Sequence, residues 1–347
     1  MDYFIKTPAQ ADTLAATLQT IPVPSTDVDR PQALLDRCPA AAETPLVSVP
    51  GFAARAAVAE VHVKDERDRM GLGSFKALGA AYVIAHDAEA GKARGRTYVT
   101  ASAGNHGLSV AAGAKAFGAQ AVIFLAQTVP EGFANRLRAL GAEVRRHGAI
   151  YEESMAGAAK AAEENGWTLL SDSSWPGYTE RPHRLMEGYL VLMQEAIDQM
   201  PEPPSHIFLQ AGVGGLAAAC AALARQAWGN APRIIVVEPE AAPALFASVA
   251  AGTPQITSGP ESAMGRLDCK EPSLIALRGL ARDADIFMTI SEAEGEAGAA
   301  ACADAGLPST PSGAAGAAGL LAARGEPAFG LADTSRVLVV LSEATGE

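Results

Sequence analysis

Ile234-Ile235-Val236-Val237 and Val337-Leu338-Val339-Val340-Leu341 are apolar at every position, with no polar alternation. A strand of that kind must be covered on both faces, which is the situation of a parallel strand between two layers of helices. Similar short β-branched runs alternate with longer Ala- and Leu-rich stretches of helical character. Strands are predicted over 96–100, 120–125, 143–147, 167–171, 206–210, 233–238, 285–290 and 336–341. Helices are predicted over 106–118, 131–140, 152–165, 184–199, 215–228, 291–305 and 313–324. This is the α/β layered pattern, with mainly parallel twisted sheets and helices on both faces. The Ala/Gly-rich tracts near 294–305 and 313–324 have helical length between strands and read as close-packed helices. Pro201-Glu202-Pro203-Pro204 reads as a connector, and the first ~45 residues as an irregular arm over the body.

A chain of 347 residues exceeds the roughly 250–300 at which one core stops growing, so two lobes around a cleft are expected. The division predicted is a large domain, 1–96 plus 179–347, and a small mobile domain, 97–178. The net charge of −12 and pI near 5 argue against a nucleic-acid or anionic-membrane partner. No N-terminal basic-then-apolar segment is present, and no apolar run reaches the roughly 18 residues of a membrane span, so the expected location is the cytoplasm. Cys38, Cys220, Cys269 and Cys302 form no C-x-x-C or Cys/His ligand pattern; they read as reduced packing thiols, and no metal site is predicted.

Two segments carry chemistry. In Gly71-Leu72-Gly73-Ser74-Phe75-Lys76-Ala77-Leu78-Gly79 one lysine stands at the mouth of an uncharged stretch running to Ile84. Desolvation there would lower its pKa and make it an amine able to attack a carbonyl, although the residue equally suits the first turn of an ordinary helix. The second segment, Gln210-Ala211-Gly212-Val213-Gly214-Gly215-Leu216, lies between a predicted strand and an Ala-rich helix. Its glycines let backbone N–H groups converge at a helix N-terminus, which suits a phosphate, or else they serve a tight turn for steric reasons. Glu238, ending the next strand, stands where a ribose-binding carboxylate would stand in a dinucleotide site, but the loop reads G-x-G-G and comes late in the chain. A phosphate loop without a nucleotide fingerprint, together with a reactive lysine, suggests pyridoxal 5'-phosphate.

Thr100-Ala101-Ser102-Ala103-Gly104-Asn105-His106-Gly107 follows a strand and precedes a helix. Its donors could bind a substrate carboxylate while Asn105 reaches the cofactor ring; Ser102 or Asn105 could also simply cap the helix. Ser342 ends a buried strand, at the edge where open α/β sheets bind ligands. A neutral hydroxyl facing the pyridine nitrogen would leave it unprotonated, which suits elimination of a good β-leaving group.

The segments S-F-K-A-L-G, S-A-G-N-H-G, A-G-V-G-G-L, V-V-E-P and V-L-S-E, in that order, resemble the β-family (fold type II) of pyridoxal phosphate enzymes. That family includes threonine dehydratase, serine racemase and cysteine synthase. Within it, Asp172-Ser173-Ser174-Trp175-Pro176-Gly177-Tyr178-Thr179, Met186-Glu187-Gly188-Tyr189 and Gly265-Arg266-Leu267-Asp268-Cys269-Lys270-Glu271-Pro272 are most similar to the diaminopropionate ammonia-lyases. The resemblance implies that Lys76 holds the cofactor covalently, with Phe75 against its ring and Asn105 on its ring hydroxyl. Gly212, Val213, Gly214 and Gly215 would hold the phosphate, and Ser342 would face the pyridine nitrogen. Ser102, Ala103, Gly104, His106 and Tyr178 would line the substrate site, and the chain would act on a small amino acid as a homodimer. Of two aspartates implicated in those lyases in removing the α-proton from opposite enantiomers, Asp172 matches the one for the L-isomer.

The other aspartate should stand immediately before Gly104, and here it is Ala103. A methyl group cannot accept a proton, so D-diaminopropionate should be processed poorly. Three readings remain at this stage: an ammonia-lyase of L-2,3-diaminopropionate, a dehydratase of a β-hydroxy amino acid, or a non-catalytic amino-acid-binding homologue. The intact lysine and phosphate loop argue against the third.

Overall fold

The structure, a computed structural model, describes residues 1–346. Its strands are β1 (Tyr3–Ile5), β2 (Leu46–Ser48), β3 (Glu60–Asp65), β4 (Thr97–Ala101), β5 (Gln120–Leu125), β6 (Glu143–Arg146), β7 (Thr168–Leu169), β8 (His206–Gln210), β9 (Arg233–Pro239), β10 (Ile286–Ile290) and β11 (Arg336–Leu341). Its α-helices are α1 (Pro8–Thr17), α2 (Asp29–Leu35), α3 (Pro50–Ala56), α4 (Lys76–Glu89), α5 (Asn105–Ala116), α6 (Glu131–Ala139), α7 (Tyr151–Asn165), α8 (Glu180–Gln199), α9 (Gly215–Trp228), α10 (Ala244–Ala251), α11 (Leu274–Asp283), α12 (Glu292–Asp304) and α13 (Ala315–Ala322).

The strands form two sheets, one in the order β1-β10-β9-β8-β11-β3-β2 and one in the order β6-β5-β4-β7. Every pairing is parallel except those of the two edge strands of the larger sheet, β1 and β2. The unbroken apolar runs serve both faces of that sheet. Ile234 and Val236 belong to the core shared with α4, α8, α9 and α11, whereas Ile235 and Val237 belong to the core shared with α3, α12 and α13. No helix among the described residues is long and apolar enough to cross a membrane.

The N-terminal segment is not the irregular arm expected. β1 pairs antiparallel with β10, and α1 starts at a capping box in which Thr7 and Gln10 satisfy each other's backbone N–H groups, with Pro8 in the first turn. The end of the segment is pinned by a buried ion cluster. Arg69 donates from Nη2 to Glu66 Oε1 at 2.7 Å and to Glu195 Oε2 at 2.6 Å, and Lys64 Nζ lies 2.7 Å from the same Glu195 oxygen. The Thr44 hydroxyl donates to Glu66 at 2.5 Å. Two cations against two carboxylates leave no uncompensated charge inside, the condition under which buried ions are tolerated.

Glu238, considered above as a ribose ligand, instead caps α10. It is 1% exposed and accepts from the backbone N–H groups of Leu245 at 2.8 Å and Phe246 at 2.7 Å. Burial pushes its carboxyl up to about 8, against the pull of those two donors. With a folded pKa above the unfolded value of 4.5, the native state keeps a proton that the unfolded chain releases. This contribution to stability is therefore complete below pH 4.5 and declines as pH rises to about 8. Urea unfolding midpoints should fall across that window in the wild type, and Glu238→Gln should flatten the decline.

Candidate active site

Lys76 is placed by the turn that precedes it. Met70, Gly71 and Gly73 have φ of 54°, 66° and 78°, which fold the chain back from β3 so that Lys76 opens α4. The Phe75 N–H donates to Ser342 O at 3.2 Å, lacing this turn to the carboxyl end of β11. Helix α4 then crosses α8 where both carry glycine: a Cβ on Gly79 would stand 2.6 Å from Tyr189 Cε1, and one on Gly188 would stand 2.5 Å from Leu78 O. The close crossing sets the base of the lysine beside an aromatic floor, with Nζ 5.3 Å from the Phe75 ring centroid and 5.8 Å from that of Tyr189. Thus the first-turn position and the chemical position are the same place.

Across the cleft, Lys76 Nζ lies 2.5 Å from Asp172 Oδ2, the two side chains being 21% and 19% exposed. The pair corrects the expectation of a depressed lysine. Burial does push the ammonium down, but the Asp172 carboxylate more than reverses it and holds Lys76 above the ordinary lysine value. Burial likewise pushes Asp172 up, and Lys76 overrides it, holding that carboxyl below the usual range.

The support for Asp172 comes from the loop after β7. The Tyr178 hydroxyl donates to Leu169 O at 2.9 Å and accepts from Ser171 N at 3.0 Å, while its ring stacks on Trp175 at 4.3 Å. Its polar atom is thus committed to the backbone that carries Asp172, and braces it. His106 is buried, and its Nε2 meets Leu170 O at 2.8 Å. That contact assigns the proton to Nε2 and leaves Nδ1 as a lone pair, buried with no hydrogen-bond partner among the described residues. Burial keeps the imidazole pKa below its ordinary value.

The loop after β4 delivers Ser102, Ala103 and Gly104 to the N-terminus of α5. Ser102 Oγ accepts from Gly104 N at 3.3 Å, and the N–H groups of Asn105, His106 and Gly107 have no acceptor among the described residues. Asn105 Nδ2 donates to Glu343 Oε2, and Thr310 Oγ1 donates to Glu343 Oε1. Glu343 stood in the V-L-S-E motif without an assigned place, and only its contact with Asn105, 238 residues away, shows that it belongs here. Tyr189 and Arg266 also had no predicted place.

The glycine loop after β8 supplies the remaining wall. A Cβ on Gly212 would stand 3.0 Å from Cys269 Sγ and 3.1 Å from Leu267 Cα, and Gly214 has φ +97°, so this backbone must be bare. Gly215 then begins the fourteen-residue α9, whose first N–H groups face the loop. Burial pushes the Cys269 thiol up to about 12, in keeping with a packing role. Ser342 sits at the end of β11, its N–H donating to Gly313 O at 3.2 Å. The Tyr189 hydroxyl is buried beside Lys76, whose amine is the polar group it faces. An amine and a bare glycine loop at a helix N-terminus, where a Cβ would fill the cradle, together fit a phosphorylated aldehyde, and so fit pyridoxal phosphate. Among the described residues no cluster of three or more His, Cys, Asp or Glu could hold a metal ion.

Comparison with known proteins agrees with this chemistry. A diaminopropionate ammonia-lyase of Salmonella typhimurium is 33% identical over 268 residues, covering 69% of this chain and 66% of that enzyme, so the match spans just under two thirds of the relative's own length. A biosynthetic L-threonine dehydratase of Haemophilus influenzae is 33% identical over 187 residues, 54% of this chain and 34% of that enzyme. The crystal structure of Escherichia coli diaminopropionate ammonia lyase in complex with an aminoacrylate-PLP azomethine reaction intermediate has a TM-score of 0.83 at 26% identity, covering 99% of this chain and 93% of that one. The profile of the pyridoxal-phosphate dependent enzymes matches residues 38–343. That stretch takes in the lysine turn, both loops and the end of β11, and the chain belongs to the family of pyridoxal-phosphate dependent enzymes.

Proposed function

We propose that this protein eliminates the β-amine of L-2,3-diaminopropionate, giving one pyruvate and two ammonia for each water consumed. The observation that carries the reading is the Asp172 carboxylate 2.5 Å from Lys76 Nζ. The similarity to the diaminopropionate ammonia-lyases supports the choice of substrate.

Pyridoxal phosphate supplies an electron sink for the charge left when an α-proton is removed from an amino acid. Gly212, Val213, Gly214 and Gly215 would hold its phosphate, with Phe75 against its ring, Asn105 toward its ring hydroxyl and Ser342 toward its pyridine nitrogen. Lys76 would hold its aldehyde carbon through Nζ, which requires the amine without its extra proton. Asp172 Oδ2 is the acceptor at hand. Asp172 is also the base for the α-proton of the L-isomer, with the free Lys76 amine beside it as the second basic group. Ser102, Ala103, Gly104, His106 and the unused N–H groups at the start of α5 line the site of the substrate carboxylate. The stretch 97–178, which carries the whole of the smaller sheet, closes as a mobile domain and excludes water. The family resemblance supports a homodimer working in amino-acid catabolism, with the cytoplasm as its expected location.

Ala103 offers a methyl group where a second proton acceptor would serve the D-isomer, so the enzyme should be selective. With pyridoxal phosphate supplied, L-2,3-diaminopropionate should release two ammonia per pyruvate, and the D-isomer should react slower by about 10²–10⁴-fold, the usual worth of a positioned base. Inertness toward both isomers, with one ammonia per keto acid from serine or threonine, would replace the lyase by a dehydratase.

A further inference from the structure

Arg266 has no part in the reaction as described, yet it leans into the site from the larger-sheet side. Its main-chain N–H is fixed to Ser312 Oγ at 3.1 Å. Its guanidinium carbon lies 5.6 Å from the Phe133 ring centroid on α6, and its Cζ, Nε and Nη1 are each 3.3 Å from the point where a Cβ on Gly104 would stand. The side chain is 39% exposed. Its nearest carboxylate oxygen, Glu343 Oε2, is 3.7 Å away, beyond hydrogen-bond range, and already accepts from Asn105. None of the Arg266 side-chain N–H groups has an acceptor among the described residues.

These unused donors sit over the loop whose own N–H groups, at Asn105, His106 and Gly107, are also unused. Gly104 between them has φ −100°, which any residue adopts, so backbone strain does not call for glycine there. A side chain at 104 would instead crowd the guanidinium, so glycine there lets Arg266 lie directly over the loop. A cationic fork lying directly over a helix N-terminus, with the N–H groups of both unused, gathers positive potential that a carboxylate complements.

We propose that Arg266 donates to the α-carboxylate of the amino-acid substrate, opposite the N-terminus of α5. The inference deepens the functional reading above and rests on its placing of the carboxylate at residues 102–106. Arg266 is thereby a substrate-binding residue that distinguishes an amino acid from a simple amine.

The test uses two ligands that cannot undergo the elimination, L-alanine and ethylamine, which differ by the carboxylate. Isothermal titration of the holoenzyme should show Arg266→Ala weakening L-alanine by about 10- to 100-fold, the worth of a charge-assisted hydrogen bond, with ethylamine affinity unchanged. Arg266→Lys should recover part of the loss, since a point charge replaces the fork. Equal weakening of both ligands would make Arg266 a packing residue and overturn the proposal, as would undiminished affinity for L-alanine. A wild type that fails to turn over diaminopropionate while Arg266→Ala selectively loses L-alanine would overturn the substrate reading and sustain this one.

Discussion

Replacing Lys76 by alanine is expected to abolish turnover and the visible absorption band of the covalently held cofactor, and to let pyridoxal phosphate dialyse away. Among the described residues, Lys76 supplies the amine that pairs with Asp172. The same substitution strips Asp172 of the cation that holds its carboxyl down, so burial would push that carboxyl up toward the neutral acid. Inactivity of the alanine variant would therefore combine two losses, and Lys76→Arg separates them. Arginine keeps a cation beside Asp172 and cannot make the covalent bond at neutral pH. Both variants should be inactive, while the arginine variant keeps the more stable fold in thermal melts. Turnover within about tenfold of wild type in either variant would remove Lys76 from the covalent role, since a positioned reactive group contributes at least about 10².

The parts of the fold that were legible in the sequence are those whose burial is symmetrical. β9 and β11 are apolar throughout because helices cover both faces, and such runs need no partner to be recognised. β3 was missed because its buried positions include His62 and Lys64, and the latter is tolerated only through Glu195, distant in sequence. β1 is three residues long and takes its identity from β10. The capping box at Thr7 and Gln10 was a local signal for α1 that the reading of an irregular arm passed over. For the site, Lys76, the glycine loop and Ser342 announce themselves by residue type and setting. Tyr189, Arg266 and Glu343 acquire their places only from distances across the cleft, and a sequence pattern carries no distances. The charge state of Lys76 was misjudged for the same reason: desolvation is visible in the neighbours along the chain, whereas the Asp172 carboxylate that outweighs it stands 96 residues away.

Asp172→Asn should leave the cofactor bound, because Lys76 and the glycine loop are intact, and should cut turnover of L-2,3-diaminopropionate by about 10²–10⁴-fold, the range for a lost general base. The change is nearly isosteric and the loop is braced by Tyr178, so the backbone at 169–173 should hold its place. A second readout follows from the electrostatics. With the carboxylate gone, the largest influence raising the Lys76 pKa disappears and burial, which lowers it, is left in control. Lys76 should then lose its proton at lower pH than in the wild type, and the pH titration of the cofactor's absorption should shift downward. A downward shift with turnover lost would mean that Asp172 both holds the Lys76 proton and acts as base. A downward shift with turnover retained would assign the α-proton to Lys76 itself, since a lysine freed of its partner carboxylate is the stronger candidate for the free amine at neutral pH. An unshifted titration would mean that the Lys76–Asp172 contact does not govern the charge of the lysine, and the proton path proposed through Oδ2 would fall with it.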